Sequence, residues 1–204
     1  MIVEWDPSRP KKKATESIVG ALRNGDIIAY PTDTFYGLGC DLFNIKAIRR
    51  LYEIRGLNDT RPLSIIFKDF KEISTYAVMS DFAFRVLKAS LPGPYTFILK
   101  ARRIMPRHLM SGKKEVGVRM PNHPVPIALT SLLERPLINT SAKSPTIGLF
   151  TDPKEIDRYL KGAVSLVIDG GLIPGEPSTV ISLVDDEVKV LREGKGPIKD
   201  LLAG

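Results

Sequence analysis

The sequence predicts an α/β fold, a mixed sheet with helices packed on it, from three observations. Short apolar runs alternate with stretches of helical spacing, and the last third of the chain turns β-rich and ends in a hairpin pattern. No linker, repeat or low-complexity segment divides the chain. At 204 residues and 43% hydrophobic content it is long enough to bury a full core, and one domain covering residues 1–204 is expected.

Ile18, Val19 and Leu22 share one helical face, and Asn24-Gly25 stops that helix; the preceding Lys11-Lys12-Lys13 reads as a solvated charge run. Asp26 to Tyr30 forms a strand, and Pro31, which has no N–H to donate, ends it before a loop of hydroxyls and glycines. Asn44 caps a helix bearing Ile45, Ile48, Leu51, Tyr52 and Ile54. Leu63–Phe67 is a strand, Asp81–Leu91 a helix, and Pro92-Gly93-Pro94 breaks the chain before the strand Tyr95–Lys100. Val116–Met120 is a strand, and Ile127, Leu129, Leu132 and Leu133 mark a helix before the strand Pro136–Thr140. Asp152 caps a helix running to about Leu160. The strand Val164–Ile168, the turn Asp169-Gly170-Gly171, and Ser178–Leu183 paired through Asp185-Asp186 with Val188–Arg192 complete the pattern.

Composition narrows the function. A formal net charge of +7 favours an anionic partner such as a nucleotide, pyrophosphate, RNA or DNA. One cysteine, Cys40, forbids an internal disulfide and reads as core packing, and His108 and His123 give no metal-ligand spacing, so no metal site is expected. His123 reads as the start of a helix. The N-terminus lacks a basic-then-apolar leader and no apolar run approaches membrane-spanning length, so neither secretion nor membrane insertion is expected and the location is cytoplasmic. There is no P-loop signature and no dinucleotide fingerprint; a nucleotide site would have to be built differently.

Hydroxyl and basic residues recur at strand ends: Thr32 and Thr34, Thr96, Arg119, Thr140 with Ser141, Ser178 with Thr179, and Arg192. A small polar ligand binding at such ends is the functional reading, and a tight solvated connection the plain one. Arg119 and Arg192 each stand beside chain-breaking residues, where a forked guanidinium can face a carboxylate or phosphate. Asn139–Pro145 combines hydroxyls with Lys143, as a phosphate-binding turn does; the competing reading is a polar loop or cap.

Taken in order, Pro31-Thr-Asp-Thr-Phe-Tyr-Gly-Leu-Gly39, Arg61-Pro-Leu63, Pro92-Gly-Pro-Tyr-Thr-Phe97, Val118-Arg-Met-Pro121, Thr140-Ser-Ala142, Pro177-Ser-Thr-Val180 and Leu191-Arg-Glu-Gly194 resemble the YrdC-like family. The resemblance spans nearly the whole chain. It implies a twisted sheet of mixed parallel and antiparallel strands, flanked by helices, around a basic concavity. It also implies a threonylcarbamoyl-AMP synthase type of nucleotidyltransferase, which condenses L-threonine, bicarbonate and ATP, with Mg²⁺ carried by the triphosphate, and releases pyrophosphate. That product feeds t6A modification of tRNA, so other proteins of that pathway are expected partners.

By the same resemblance, Thr32 and Arg119 contact the threonine, with Ser178 or Thr179 lining the same site; arginine pairs with the carboxylate and hydroxyls receive the ammonium. Arg55, Thr140, Ser141, Lys143 and Arg192 face the nucleotide, and no covalent nucleophile is required. Two departures set the chain apart: Arg55-Gly56-Leu57 stands where synthases typically show Lys-x-Arg, and Ser141-Ala142-Lys143 where they show Ser-x-Asn. Both are closest to the YciO branch of the family. The alternative implied by that branch is a protein that binds double-stranded RNA or tRNA in the concavity with little or no synthase activity.

Overall fold

The structure, a computed structural model, describes residues 1–56, 63–106, 109, 114–144 and 146–202. The expectations attached to Leu57, Arg61 and His108 lie outside the described residues.

The elements in chain order are β1 (Ile2–Glu4), α1 (Lys12–Arg23), β2 (Ile28–Tyr30), β3 (Gly37–Asp41), α2 (Ile45–Arg55), β4 (Ser64–Ile66), α3 (Phe70–Tyr76), α4 (Asp81–Ser90), β5 (Tyr95–Lys100) and β6 (Glu115–Arg119). There follow α5 (Pro124–Leu133), β7 (Leu137–Ser141), β8 (Lys143–Ser144), β9 (Gly148–Leu149), α6 (Pro153–Tyr159), β10 (Leu166–Asp169), β11 (Thr179–Ser182), β12 (Lys189–Arg192) and α7 (Lys199–Leu202). Ten strands form one sheet in the order β1-β10-β2-β3-β7-β4-β6-β5-β11-β12. The pairs β1·β10, β10·β2, β4·β6 and β5·β11 are parallel and the remaining neighbours antiparallel, so the sheet is mixed as expected.

Both faces of the sheet are covered. Side chains alternate across a strand with period two, and Ile28, Tyr30, Ile66 and Leu137 join Ile18 and Leu22 of α1 and Val125, Leu129 and Leu133 of α5 in one core. Their neighbours Ile27, Ala29, Ile65 and Ile138 join Ile48 and Leu51 of α2, Ile73 of α3, Leu87 of α4 and Ile156 of α6 in the other. Local chemistry sets the helix starts: Asn44, Asp69, Ser80 and Asp152 each accept a backbone N–H of the first turn, relieving donors the helix leaves open. His123 does the same for α5, where Nδ1 accepts from Val125 N at 3.2 Å.

The segment read as a loop up to Asp41 is in part a strand. Gly37–Asp41 is β3, wholly buried between β2 and β7, and Cys40 lies in the core with its thiol pushed up to about 12 by burial. Two glycines hide this strand from propensity, yet the sheet requires them. A Cβ at Gly39 would stand 2.6 Å from Tyr30 Oη and 2.7 Å from the Ile138 carbonyl, and one at Gly37 2.6 Å from Asn139 Oδ1. Asn139–Ser144 is likewise extended backbone, β7 running into β8, rather than a turn or cap.

Candidate active site

Pro31–Tyr36 connects β2 to β3, and its position is set by contacts far away in sequence. Thr32 Oγ1 donates to the Phe35 carbonyl at 2.6 Å, accepts from Thr34 N at 3.1 Å and lies 3.1 Å from Thr34 Oγ1. Both threonines are buried. Three strands separate β2 from β6 in the sheet, four steps of about 4.8 Å, so the loop folds across the sheet to meet Arg119 at the end of β6. There Arg119 Nη2 stands 3.2 Å from both Asp33 Oδ1 and Thr34 Oγ1, while Asn122 N donates to Asp33 Oδ2 at 2.9 Å.

Arg119 is the centre of the arrangement. Its side chain is 5% exposed, and burial drives the guanidinium below the ordinary arginine value, with Asp33 opposing and Arg192 reinforcing that shift. Among the described residues, Arg119 Nε is the buried side-chain polar atom that has no hydrogen-bond partner. An unpaired buried N–H is costly, and this one has no surface open to solvent. A separate groove of about 530 Å³, lined by Trp5, Thr15, Ala128 and Leu132 among others, holds no such atom.

The neighbouring strand ends supply more polar groups. Ser178 is buried beside Thr96, their hydroxyls 2.9 Å apart, and Arg192 donates to the Ser178 carbonyl from Nε at 3.1 Å and Nη2 at 2.7 Å. The Thr179 hydroxyl donates to the Gly196 carbonyl and accepts from Gly194 N. Lys195 Nζ donates to the Asp33 carbonyl, tying the segment after β12 to the loop. On the loop's other side, Ser141 pairs across the sheet with Gly37. Arg55 Nε donates to Thr140 Oγ1 at 3.1 Å and Nη1 to the Lys143 carbonyl at 2.8 Å, and burial lowers its pKa. Lys143 itself is exposed.

Thr32, Arg119, Ser178 and Arg192 therefore surround one region, with Arg55, Thr140 and Ser141 flanking it. Sequence reasoning did not single out Asp33 or Lys195. The signals were Asp33's place between two threonines and Lys195's place three residues beyond Arg192. Beneath the loop, Tyr30 Oη donates to Asn139 Oδ1 and Asn139 Nδ2 to Ser64 Oγ, a buried chain that fixes the strand floor. Among the described residues no three His, Cys, Asp or Glu side chains gather as a metal-binding group, and no helix is long and apolar enough to cross a membrane.

A mixed α/β sheet whose strand ends bring a buried arginine together with a carboxylate, hydroxyls and further cations has the make-up of a polar ligand site. The family model Sua5_yciO_yrdC, described as telomere recombination, matches residues 20–194. The chain is 40% identical over 199 residues to YciO of Escherichia coli, covering 96% of each. It is 36% identical over 192 residues to a putative threonylcarbamoyl-AMP synthase of Methanocaldococcus jannaschii, covering 94% of this chain and 90% of that one. The crystal structure of E. coli YciO superposes with a TM-score of 0.90 at 37% identity, covering 98% of both chains. That of Pyrococcus abyssi Sua5 complexed with L-threonine gives 0.90 at 30% identity, covering 98% of this chain and 59% of the other. The chain belongs to the Sua5/YciO/YrdC family.

Proposed function

We propose that the chain is an L-threonylcarbamoyl-AMP synthase, and the observation that carries this reading is the gathering of buried Arg119 with Asp33 and Thr34 of the β2–β3 loop, beside the strand ends that hold Ser178 and Arg192. The likeness to a Sua5 structure complexed with L-threonine and to proteins named threonylcarbamoyl-AMP synthase supports it. In this reading Arg119 pairs with the threonine carboxylate, while Thr32 and Ser178 line the same site and Thr179 shapes its wall. The amine of threonine adds to carbon dioxide drawn from bicarbonate, losing a proton to become a carbamate. A carbamate oxygen then attacks the α-phosphate of ATP, and the bond to the β-phosphate breaks to release pyrophosphate.

This chemistry needs positioning and charge stabilisation more than a nucleophilic side chain. Arg192 counters phosphate charge; Arg55, Thr140, Ser141 and Lys143 flank the nucleotide; Mg²⁺ enters as part of the ATP substrate. The product serves t6A modification of tRNA in the cytoplasm, alongside the other proteins of that pathway.

A second reading, binding of double-stranded RNA or tRNA without synthase chemistry, is favoured by one observation. The formal net charge of +7 suits a polyanionic partner. Mass-spectrometric detection of threonylcarbamoyl-AMP after incubation with ATP, L-threonine, bicarbonate and Mg²⁺ separates the two. Product from the wild type that falls away in Arg192→Ala is the result expected of a synthase. No product above a protein-free control overturns that reading and leaves the RNA-binding one.

A further inference from the structure

The groove of about 530 Å³ on the α1–α5 face shares no residue with the candidate site. Its walls come from three stretches: Trp5, Pro7 and Pro10 of the segment after β1, Thr15 of α1, and Ala128 and Leu132 of α5. The volume suits a ligand pocket, and the lining is mostly apolar. Trp5 Nε1 donates to Thr15 Oγ1 at 2.9 Å, so the polar atom of the indole is satisfied and its carbons are left to line the groove. Leu132 is 37% exposed, a large apolar side chain open to water. Proline fixes φ at two positions of the wall, so little freedom is lost when a partner covers it.

The rim is cationic. Lys12 lines the groove, Lys11 and Lys13 adjoin it in sequence, and all three are exposed. Among the described residues none of the three side chains has a hydrogen-bond or ion-pair partner. They stand at the start of α1, where the helix dipole is positive, and α1 has no acidic residue in its first turn and no side-chain cap. Glu16 is the acidic residue among those lining the groove, and the nearby Asp6 carboxylate is held by Ser8 N and Oγ and by the charge of Arg9.

A matching partner offers large apolar side chains to the groove and carboxylates to the rim. Nucleic acid answers the lysines alone: the Trp5 ring is 6% exposed and gives no open face on which a base could stack. We propose that this groove docks an acidic, apolar segment of a partner protein, its large apolar side chains entering between Trp5 and Leu132 and its carboxylates meeting Lys11, Lys12 and Lys13.

The probe is a phage-displayed library of random dodecapeptides, selected on the full-length chain. Selected peptides are expected to combine Leu, Phe or Trp with Asp or Glu, and their tryptophan-free members to shift the emission of Trp5, the chain's single tryptophan. Their affinity is expected to fall by at least about tenfold in Leu132→Asp and by about threefold or more in Lys12→Glu. Failure to enrich any peptide overturns the proposal, and so do peptides that are basic, that leave Trp5 emission unchanged or that bind Leu132→Asp as well as the wild type. If Leu132→Asp does not fold, Ser131→Glu decides. This substitution sets a carboxylate at an exposed lining position and should weaken the peptides by about threefold or more; unchanged binding overturns the proposal. A labelled RNA duplex that loses affinity in Lys12→Glu, with no peptide enriched, gives the lysines to nucleic acid and likewise overturns it.

Discussion

Arg119 brings a full positive charge into a region where its side chain is 5% exposed, and Asp33 is the anion within reach of it. Removing one member of a buried ion pair leaves the other uncompensated, at a cost of about 3 kcal/mol. Arg119→Ala should therefore lower the melting temperature and also weaken L-threonine binding by at least about tenfold. Calorimetric titration beside a thermal melt reads both; unchanged affinity in a folded variant removes Arg119 from the carboxylate. His123 allows a pH test. Burial holds its folded-state pKa below the ordinary 6.5, so as pH falls the unfolded chain takes up the proton first, and stability present above 6.5 is lost as pH drops through that value. His123→Ser keeps a helix-capping side chain and removes the titration. Melts between about pH 8 and pH 5 should show a shallower decline in this variant than in the wild type.

At the level of helices and strands, the sequence was informative wherever a local rule decides. Asn44 does cap α2, Asp152 does cap α6, and β5 runs from Tyr95 to Lys100, after the break at Pro92-Gly93-Pro94 that bounded it in the sequence. Asn44→Ala should cost about 1 kcal/mol in urea denaturation, the usual worth of a lost cap. β3 escaped because its glycines speak against a strand when read alone; the reason for them, the Tyr30 ring and Ile138 carbonyl lying where a Cβ would stand, comes from neighbours in space. Gly39→Ala should accordingly cost more than Asn44→Ala, about 1–3 kcal/mol, because backbone and a buried ring have to shift. A smaller midpoint change than Asn44→Ala would mean that the sheet accommodates the methyl group. The candidate site was legible in the same uneven way. Strand-end hydroxyls and arginines stand out in the chain, but the contact of Arg119 with Asp33 joins residues 86 positions apart and has no local signature.

Across the whole molecule, the order of strands in the sheet bears little relation to their order in the chain: β10 sits between β1 and β2, and β11 beside β5. No periodicity encodes such crossings, so the strand order was not legible in the sequence. Net charge acts at this scale too. With a formal +7, any affinity for duplex RNA or tRNA should fall by tenfold or more between about 50 and 200 mM salt, because phosphate contacts release counterions; filter binding across that range checks it, and a flat response argues against phosphate-led binding. The interleaved strand order also governs how the protein comes into being. During synthesis β1 has no partner until residues 166–169 have been made, and β2 has β3 on one side alone until then. Arg192 and Lys195 arrive later still. A ribosome-bound chain that stops short of β10 thus carries an unpaired, aggregation-prone strand edge, and the residues of the candidate site are all present only once translation has passed Lys195.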